Sequence, residues 1–218
     1  MISQDDIARF VVANTEIACP PLVPELRLRL ASQVVPIWEA TERSLADLGI
    51  EPPYWAFCWP GSQALARLLL DEPGRVAGRR VLDLASGCGA AAIAASLAGA
   101  DIVVANDIDR LALAAIPMNA ELNGVGLTLE ADDVLGSAKA DWDLVLAGDV
   151  CYEKKFADRA MAWLRELARR DVEVLLADPG RSYLPTSGLE PVRRYDVPTV
   201  LDLEDRESRE CVVWRVLP

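Results

Sequence analysis

Residues 81–89 constrain the fold more than any other stretch of the chain, and their sequence is Val-Leu-Asp-Leu-Ala-Ser-Gly-Cys-Gly. Residues 81–84 predict a buried strand, and the alanine-rich residues 90–97 predict a helix directly after the glycines. Glycines let a ligand approach the backbone, and a helix N-terminus presents unpaired N–H groups. This order of strand, small-residue turn and helix therefore predicts a ligand site in a parallel α/β sheet.

Two cofactors fit such a turn. Gly87, Gly89 and Ala92 match the Gly-x-Gly-x-x-Ala pattern of dinucleotide sites, but a single match of this kind is weakly specific. S-adenosylmethionine has no phosphate and carries an ammonium and a sulfonium group, so an acid beside the turn favours it. Asp83 lies four residues before Gly87, with Ser86 between them. We therefore expect S-adenosylmethionine at Asp83, Ser86, Gly87 and Gly89, with NAD as the alternative.

A second acid, Asp107, follows the next apolar segment, residues 102–105. In nucleotide sites an acid at the end of the second strand accepts hydrogen bonds from the ribose hydroxyls. We expect Asp107, with Ile108 beside it, to bind the ribose. The alternative is purely structural: Asp83 ends a turn, and Asp107 precedes a helix that begins near Asp109.

Strands and helices alternate after this turn, which predicts an α/β fold with a Rossmann-like, doubly wound, seven-stranded and mostly parallel sheet. We interpret residues 51–218 as the ligand-binding domain and residues 1–50 as an N-terminal extension packed on it, one domain overall. The predicted helices cover residues 3–12, 37–48, 62–70, 90–97, 109–123 and 156–169. The predicted sheet strands cover residues 81–84, 102–105, 127–130, 143–147, 172–177, 192–197 and 211–216, and a further strand pattern covers residues 26–30.

The loops after the third and fourth sheet strands carry further candidates. Asp133 and the backbone of Val134 follow the third strand, where they are expected to bind the adenine amino group; a solvated loop is the alternative. Asp149 and Tyr152 follow the fourth strand. Because the first and fourth strands flank the topological switch point, this loop is expected to face the ligand.

An aromatic segment at residues 54–59 precedes the predicted helix at residues 62–70. In an extended conformation its side chains Trp55, Phe57 and Trp59 would all face one way. They form either part of the core or a wall over the ligand, and we expect Trp59 to cover the cofactor.

Composition excludes several classes of function. The chain has no histidine, which excludes Ser-His-Asp and Cys-His catalysis and His-ligated metal sites. Its net charge of −12 disfavours nucleic acid as a partner and favours a lysine-bearing protein, unless the acidity serves solubility alone. Five cysteines without a Cys-x-x-Cys pair predict a cytoplasmic protein with neither disulfides nor a metal. We expect no membrane span, no targeting peptide, a monomer and, from 19 Arg against 3 Lys, a GC-rich bacterial source.

These motifs together resemble the class I, seven-β-strand S-adenosylmethionine methyltransferases and, within them, the lysine methyltransferases of the electron-transfer flavoprotein β subunit. The resemblance covers residues 52–180 and is narrowest in its Trp-Pro-Gly and Asp-x-x-Tyr motifs. The matching segments are Trp59-Pro60-Gly61-Ser62-Gln63-Ala64-Leu65, residues 81–90, Ala105-Asn106-Asp107-Ile108-Asp109, Trp142-Asp143-Leu144-Val145, Gly148-Asp149-Val150-Cys151-Tyr152 and Asp178-Pro179-Gly180-Arg181.

The resemblance implies transfer of a methyl group from S-adenosylmethionine to a lysine of a protein, with the flavoprotein β subunit as the expected substrate. A ribosomal protein or a small molecule is the alternative acceptor. A non-catalytic cofactor-binding protein that docks through Trp55, Phe57 and Trp59 is the alternative from another class. Two departures from the family are Ala85 and Ser62, which stand where glycine is usual or frequent.

The resemblance also implies a role for each candidate residue. Asp149 and Tyr152 would surround the methyl group in transfer, and Trp59 would cover the cofactor. The cofactor itself would be held by Asp83, Ser86, Gly87, Gly89, Asp107, Ile108, Asp133 and Val134.

Overall fold

The computed structural model describes residues 4–31, 52–138, 141–199 and 206–218. The predicted helix at residues 37–48 lies outside the described residues. Within them, no helix is both long enough and apolar enough to cross a membrane.

The helices lie close to the predicted positions, with ends that differ by a few residues. They are α1 (Gln4–Asn14), α2 (Pro60–Asp71), α3 (Ala90–Leu97), α4 (Arg110–Leu122) and α5 (Lys154–Arg169). Helix α2 begins at Pro60, since proline suits the first helical position, where no N–H is needed. Asp109 caps α4, because its carboxylate accepts a hydrogen bond from the N–H of Leu111 at 2.8 Å.

The strands are β1 (Glu16–Ala18), β2 (Leu28–Leu30), β3 (Arg80–Leu84), β4 (Ile102–Asn106), β5 (Thr128–Glu130), β6 (Leu144–Gly148), β7 (Glu173–Asp178), β8 (Leu189–Pro198) and β9 (Ser208–Val216). Strands β1 and β2 form a small antiparallel sheet of their own. The described residues also form a seven-stranded sheet in the order β5-β4-β3-β6-β7-β9-β8. Strands β3 to β7 run parallel, and β9 is antiparallel to both β7 and β8, which confirms the predicted fold class.

Both faces of the sheet are covered by helices. Side chains alternate along a strand, so Val81 and Leu144 face the layer that contains α2 and α3. Their neighbours Leu82 and Val145 face α5 on the opposite side. A parallel sheet buried on both faces requires continuous apolar strands, which is the pattern that the sequence shows.

The N-terminal residues pack on this core. Ile7 and Val11 of α1 lie in an apolar cluster with Leu111 of α4. Leu28 of β2 is fully buried in the main core cluster.

The extended conformation expected for the aromatic segment is wrong. Residues Tyr54–Ala56 form a short 3₁₀ turn instead. Trp55 and Phe57 are only 1% and 6% exposed, because both pack into the cluster formed by α1 and α4. They therefore present no docking face, whereas Trp59 remains partly exposed.

Candidate active site

The candidate residues gather at the carboxyl edge of the parallel sheet. Strands β3 and β6 are parallel neighbours, with Leu84 opposite Ala147. The chain turns to one side of the sheet after β3 and to the other at β6, so the loops that follow these strands lie at the topological switch point. Ligands of open α/β sheets bind at this place.

Residues 85–89, here called the glycine turn, have an unusual backbone. Ala85, Gly87 and Gly89 have φ values of 51°, 56° and 84°. This left-handed region favours glycine, which explains why glycine is usual at position 85. The buried amide of Asn119 holds the turn from below by donating to the carbonyl of Cys88 at 2.8 Å.

Asp83 lies under the glycine turn and is almost fully buried. Its carboxylate accepts hydrogen bonds from the Ser86 hydroxyl and, at 3.1 Å, from the N–H of Ala92 at the start of α3. The pKa of Asp83 is raised to about 7, mainly by burial and also by the nearby charge of Asp107, while these hydrogen bonds act in the opposite direction. The alternative that Asp83 has a structural role in the turn therefore agrees with these hydrogen bonds. Its carboxyl group is nevertheless costly to ionise at this buried position.

Asp107 ties the glycine turn to the end of β4. Its carboxylate accepts hydrogen bonds from the N–H of Gly87 at 2.8 Å and the N–H of Asp109 at 3.0 Å. Burial raises the pKa of this carboxyl group, and the hydrogen bonds oppose the rise. The side chain of the neighbouring Ile108 is 68% exposed.

Asp133 is exposed and has partners of its own. It forms an ion pair with Arg159 of α5 at 2.7 Å and accepts a hydrogen bond from the N–H of Leu135 at 3.0 Å. The ion pair lowers the pKa of Asp133. Val134 is half-buried against the apolar cluster beneath α5.

Asp149 is held by three segments of the chain. Its N–H donates to the carbonyl of Ala177 at 3.0 Å, and its Oδ2 accepts from the N–H of Gly61 at 2.6 Å. Its Oδ1 accepts from the guanidinium of Arg181 at 3.1 Å. Asp149 has a φ of 55°, a strained conformation for a non-glycine residue that often marks functional sites.

Burial raises the pKa of Asp149 to about 7. The charge of Arg181 lowers this pKa, and the charge of Asp178 at the end of β7 raises it. Two buried acids thus share the positive charge of Arg181. The neighbouring thiol of Cys151 is unsuited to nucleophilic catalysis, because burial raises its pKa to about 12.

Aromatic side chains belong to the segments that hold this acid, with Trp59 two residues before Gly61 and Tyr152 three residues after Asp149. Tyr152 is 44% exposed, and its ring centroid lies 5.3 Å from that of Tyr54 and 6.0 Å from that of Phe156. The ring of Trp59 lies 6.0 Å from Tyr54, and its Nε1 donates to the Tyr54 carbonyl at 2.8 Å. Trp59 and Tyr152 therefore meet through Tyr54, beside Asp149. A carboxylate among aromatic faces is suited to bind a cation.

Sequence reasoning gave no role to three residues that build the site: Gly61, Asn119 and Arg181. In the sequence Gly61 has no feature beyond its place at the start of a helix. Its contact with Asp149 arises only when α2 packs on the sheet. Asn119 was detectable as an isolated amide on the buried face of an alanine-rich helix. Arg181 stood in a motif of the resemblance, but the motif does not show what its guanidinium contacts.

Comparison with known proteins agrees with this geometry. The family model of ribosomal protein L11 methyltransferase matches residues 63–150. The fold is shared with magnesium protoporphyrin IX methyltransferase from Synechocystis with bound S-adenosylmethionine (TM-score 0.52, 21% identity, covering 71% of this chain and 79% of that one). It is also shared with an N-methyltransferase from Bradyrhizobium japonicum (TM-score 0.52, 13% identity, covering 72% and 94%).

A sequence relative extends the match along nearly the whole chain. The electron transfer flavoprotein beta subunit lysine methyltransferase of Danio rerio is 41% identical over 220 residues, which cover 98% of this chain and 84% of that protein. Identity of this extent includes the N-terminal residues and the final hairpin as well as the glycine turn. The chain therefore belongs to the electron transfer flavoprotein beta subunit lysine methyltransferase family.

Proposed function

We propose that this protein transfers methyl groups from S-adenosylmethionine to lysine residues of the electron-transfer flavoprotein β subunit. The observation that carries the proposal is the match to a lysine methyltransferase of that name along nearly the whole chain. The cluster of one buried acid and several aromatic rings supports it independently, because a lysine ammonium is the cation that such a cluster would receive.

The glycine turn and its two acids suit the proposed cofactor. Asp83 is buried and Asp107 is partly buried near it, and desolvation raises the pKa of both. A cationic ligand would lower both pKa values, which an anionic pyrophosphate would not do. Gly87 leaves open space where a side chain would otherwise stand, since the nearest atom to a Cβ built there is the Trp55 Cα at 4.0 Å.

We assign the two ends of the cofactor accordingly. Asp83, Ser86, Gly87 and Gly89 would bind the methionine part, and Asp107 with Ile108 the ribose. Asp133 would accept from the adenine amino group while sharing its carboxylate with Arg159, with the backbone of Val134 beside it. Trp59 would cover the cofactor near the reacting methyl group. S-adenosylmethionine supplies a methyl group activated by a sulfonium.

The acceptor residues act on the lysine. A free lysine has a pKa of about 10.4, so its ammonium must lose a proton before the nitrogen can react. An adjacent carboxylate raises this pKa, so Asp149 binds and aligns the ammonium rather than deprotonating it, and the proton leaves to water. Tyr152 adds a π face that contributes roughly 0.5–2 kcal/mol. Most of the rate enhancement then comes from alignment.

A ribosomal protein is the second candidate acceptor, because the ribosomal protein L11 methyltransferase model matches the residues that carry the glycine turn and Asp149. That match ends at residue 150, before Tyr152. A non-catalytic docking role has lost its main support, since Trp55 and Phe57 are buried.

Intact-mass spectrometry tests the proposal. Purified electron-transfer flavoprotein and ribosomal protein L11 are each incubated with the enzyme and S-adenosylmethionine. Mass increments of one methyl on the β subunit, mapped to lysine, are expected. Increments on the ribosomal protein alone would transfer the function to the second candidate. No increment on either protein would refute protein methylation of both, and a small-molecule acceptor would then be sought.

Four further proposals accompany this function and rest on composition. The protein works in the cytoplasm as a monomer, requires no metal, binds neither nucleic acid nor membranes, and comes from a bacterium. Residues 1–50 and 51–218 form one domain, a proposal that the packing of α1 and β2 on the core supports.

A further inference from the structure

Arg181 reaches from the end of β7 into the proposed acceptor site. Its backbone N–H donates to Oδ1 of Asp178 at 2.6 Å, which fixes the main chain at the end of the strand. Its side chain extends to Asp149, where the ion-pair distance is 3.1 Å. The central carbon of the Arg181 guanidinium also lies 5.7 Å from the centroid of the Trp59 ring. Only 20% of the side chain is exposed, so the contact is largely shielded from water.

The two oxygens of Asp149 serve different partners. Oδ2 is bound to the backbone of Gly61 at 2.6 Å and cannot turn away without breaking the start of α2. Oδ1 faces the guanidinium of Arg181. Oδ1 and the face of Trp59 are the two features that would attract an incoming ammonium, and one cation of the protein already contacts both.

We propose that Arg181 occupies the position of the substrate ammonium in the free enzyme, so that a lysine enters only by displacing it. Arg181 is then a specificity-determining residue of the acceptor site. This inference rests on the proposed function in that it takes a lysine ammonium as the natural ligand.

The electrostatics of the site explain why a resident cation is useful. Asp149 is buried beside Asp178, and both carboxyl groups have raised pKa values. Without a cation, Asp149 would take up a proton and lose its affinity for an ammonium. Arg181 lowers the pKa of Asp149 and so favours its charged form until the lysine arrives, and the ammonium of the lysine then has the same effect.

Displacement also provides selectivity. A ligand that binds only the minor, arginine-free state has an apparent affinity reduced by the population of that state. A lysine on a docked protein overcomes this reduction because the rest of the interface contributes binding energy. A free amine pays the same factor without such a contribution, so it binds too weakly to occupy the site at low concentration.

Ammonium binding tests the inference without depending on methyl transfer. The probe is n-butylammonium, titrated by NMR into the wild type, Arg181→Gln and Arg181→Lys. The titrations are done at about pH 9, because loss of Arg181 raises the pKa of Asp149 while the amine stays charged. Arg169→Gln is the matched control, since the Arg169 side chain is exposed at the end of α5 and pairs with Glu166 instead.

We expect Arg181→Gln to bind n-butylammonium about tenfold more tightly than the wild type, while Arg181→Lys and Arg169→Gln stay within about twofold. Equal or weaker binding by Arg181→Gln, with the near-ultraviolet circular dichroism unchanged, would overturn the inference. The same result for Arg181→Lys as for Arg181→Gln would also overturn it, because a resident cation would then be irrelevant.

Kinetics separate this inference from the proposed function. In Arg181→Gln the KM for n-butylamine and the KM for the flavoprotein should both fall about tenfold, with kcat unchanged. A fall in kcat for both acceptors at unchanged KM would instead show that Arg181 positions Asp149. If the wild type does not methylate the flavoprotein at all, the proposed function fails, and the ammonium titration still decides the role of Arg181.

Discussion

Replacing Gly61 by alanine tests how closely α2 approaches the ends of β6 and β7. A Cβ at this position would lie 2.5 Å from the carbonyl oxygen of Ala177 and 2.5 Å from Oδ2 of Asp149. Ordinary contact begins at 3.4 Å, so α2 would have to move away by almost 1 Å. The same movement would lengthen the hydrogen bond from the Gly61 N–H to Asp149.

The expected cost combines two terms and one gain. Overpacking of a dense interior costs about 1–3 kcal/mol. Loss of a hydrogen bond to a charged, buried acceptor costs about 1.5–3 kcal/mol. The better helix propensity of alanine returns about 1 kcal/mol. We therefore expect Gly61→Ala to lower the free energy of unfolding by roughly 2–5 kcal/mol.

Urea unfolding measures this difference, with Gly74→Ala as the matched control. A Cβ at Gly74 meets no atom within 4 Å, so the control should lie within about 0.5 kcal/mol of the wild type. A loss below about 1 kcal/mol in Gly61→Ala would refute the reasoning, because the contact would then relax without cost. A fall in methyl transfer without any loss of stability would likewise show that only the position of Asp149 is sensitive.

Three further predictions concern the turn and the acceptor acid. Because burial raises the pKa of Asp83 to about 7, Asp83→Asn should stabilise the fold above pH 7 and weaken cofactor binding. The gain, about 2–4 kcal/mol at about pH 8, should vanish towards about pH 4, where the wild-type carboxyl group is protonated in the folded state; urea unfolding at both pH values checks it. Ala85→Gly should raise stability by about 1 kcal/mol by relieving the positive φ, whereas Ala98→Gly, at φ −79°, should lower it; calorimetric melting tests the pair. Asp149→Ala should abolish methyl transfer and leave cofactor affinity within a few-fold, while Glu153→Ala, which removes an exposed charge from the same loop, should keep activity; titration calorimetry and a labelled-methyl assay would contradict this if the cofactor no longer bound.

Local sequence patterns predicted the sheet well because its strands are short apolar runs that end at turn residues. The mostly parallel direction of the strands followed from the alternation of strands and helices. The aromatic segment misled the same reasoning, since Trp55 and Phe57 are buried by α1 and α4, which are distant in sequence. The conformation of such a segment depends on packing against elements distant in sequence, and the periodicity of its own residues carries no information about that packing.

The candidate site shows the same division. The acids at the strand ends were found because their positions along the chain fixed their place at one edge of the sheet. The contacts of Arg181 and Gly61 with Asp149 were not predicted, because they join segments that are distant in sequence. Arg181 follows β7 and Asp149 follows β6, so their contact depends on the register of these two strands. Whether the candidate residues bind and act as proposed stays a prediction.

The spacing of these contacts along the chain has a consequence for biosynthesis. The hydrogen bonds that shape the glycine turn join residues 3, 9 and 20 positions apart. Those that fix Asp149 join residues 88 and 32 positions apart. Short loops close at lower entropic cost than long ones, so the first set can form while the C-terminal half is still emerging from the ribosome. A nascent chain would therefore form its glycine turn early, and the contacts of Asp149 would be complete only once the chain has been synthesised up to Arg181.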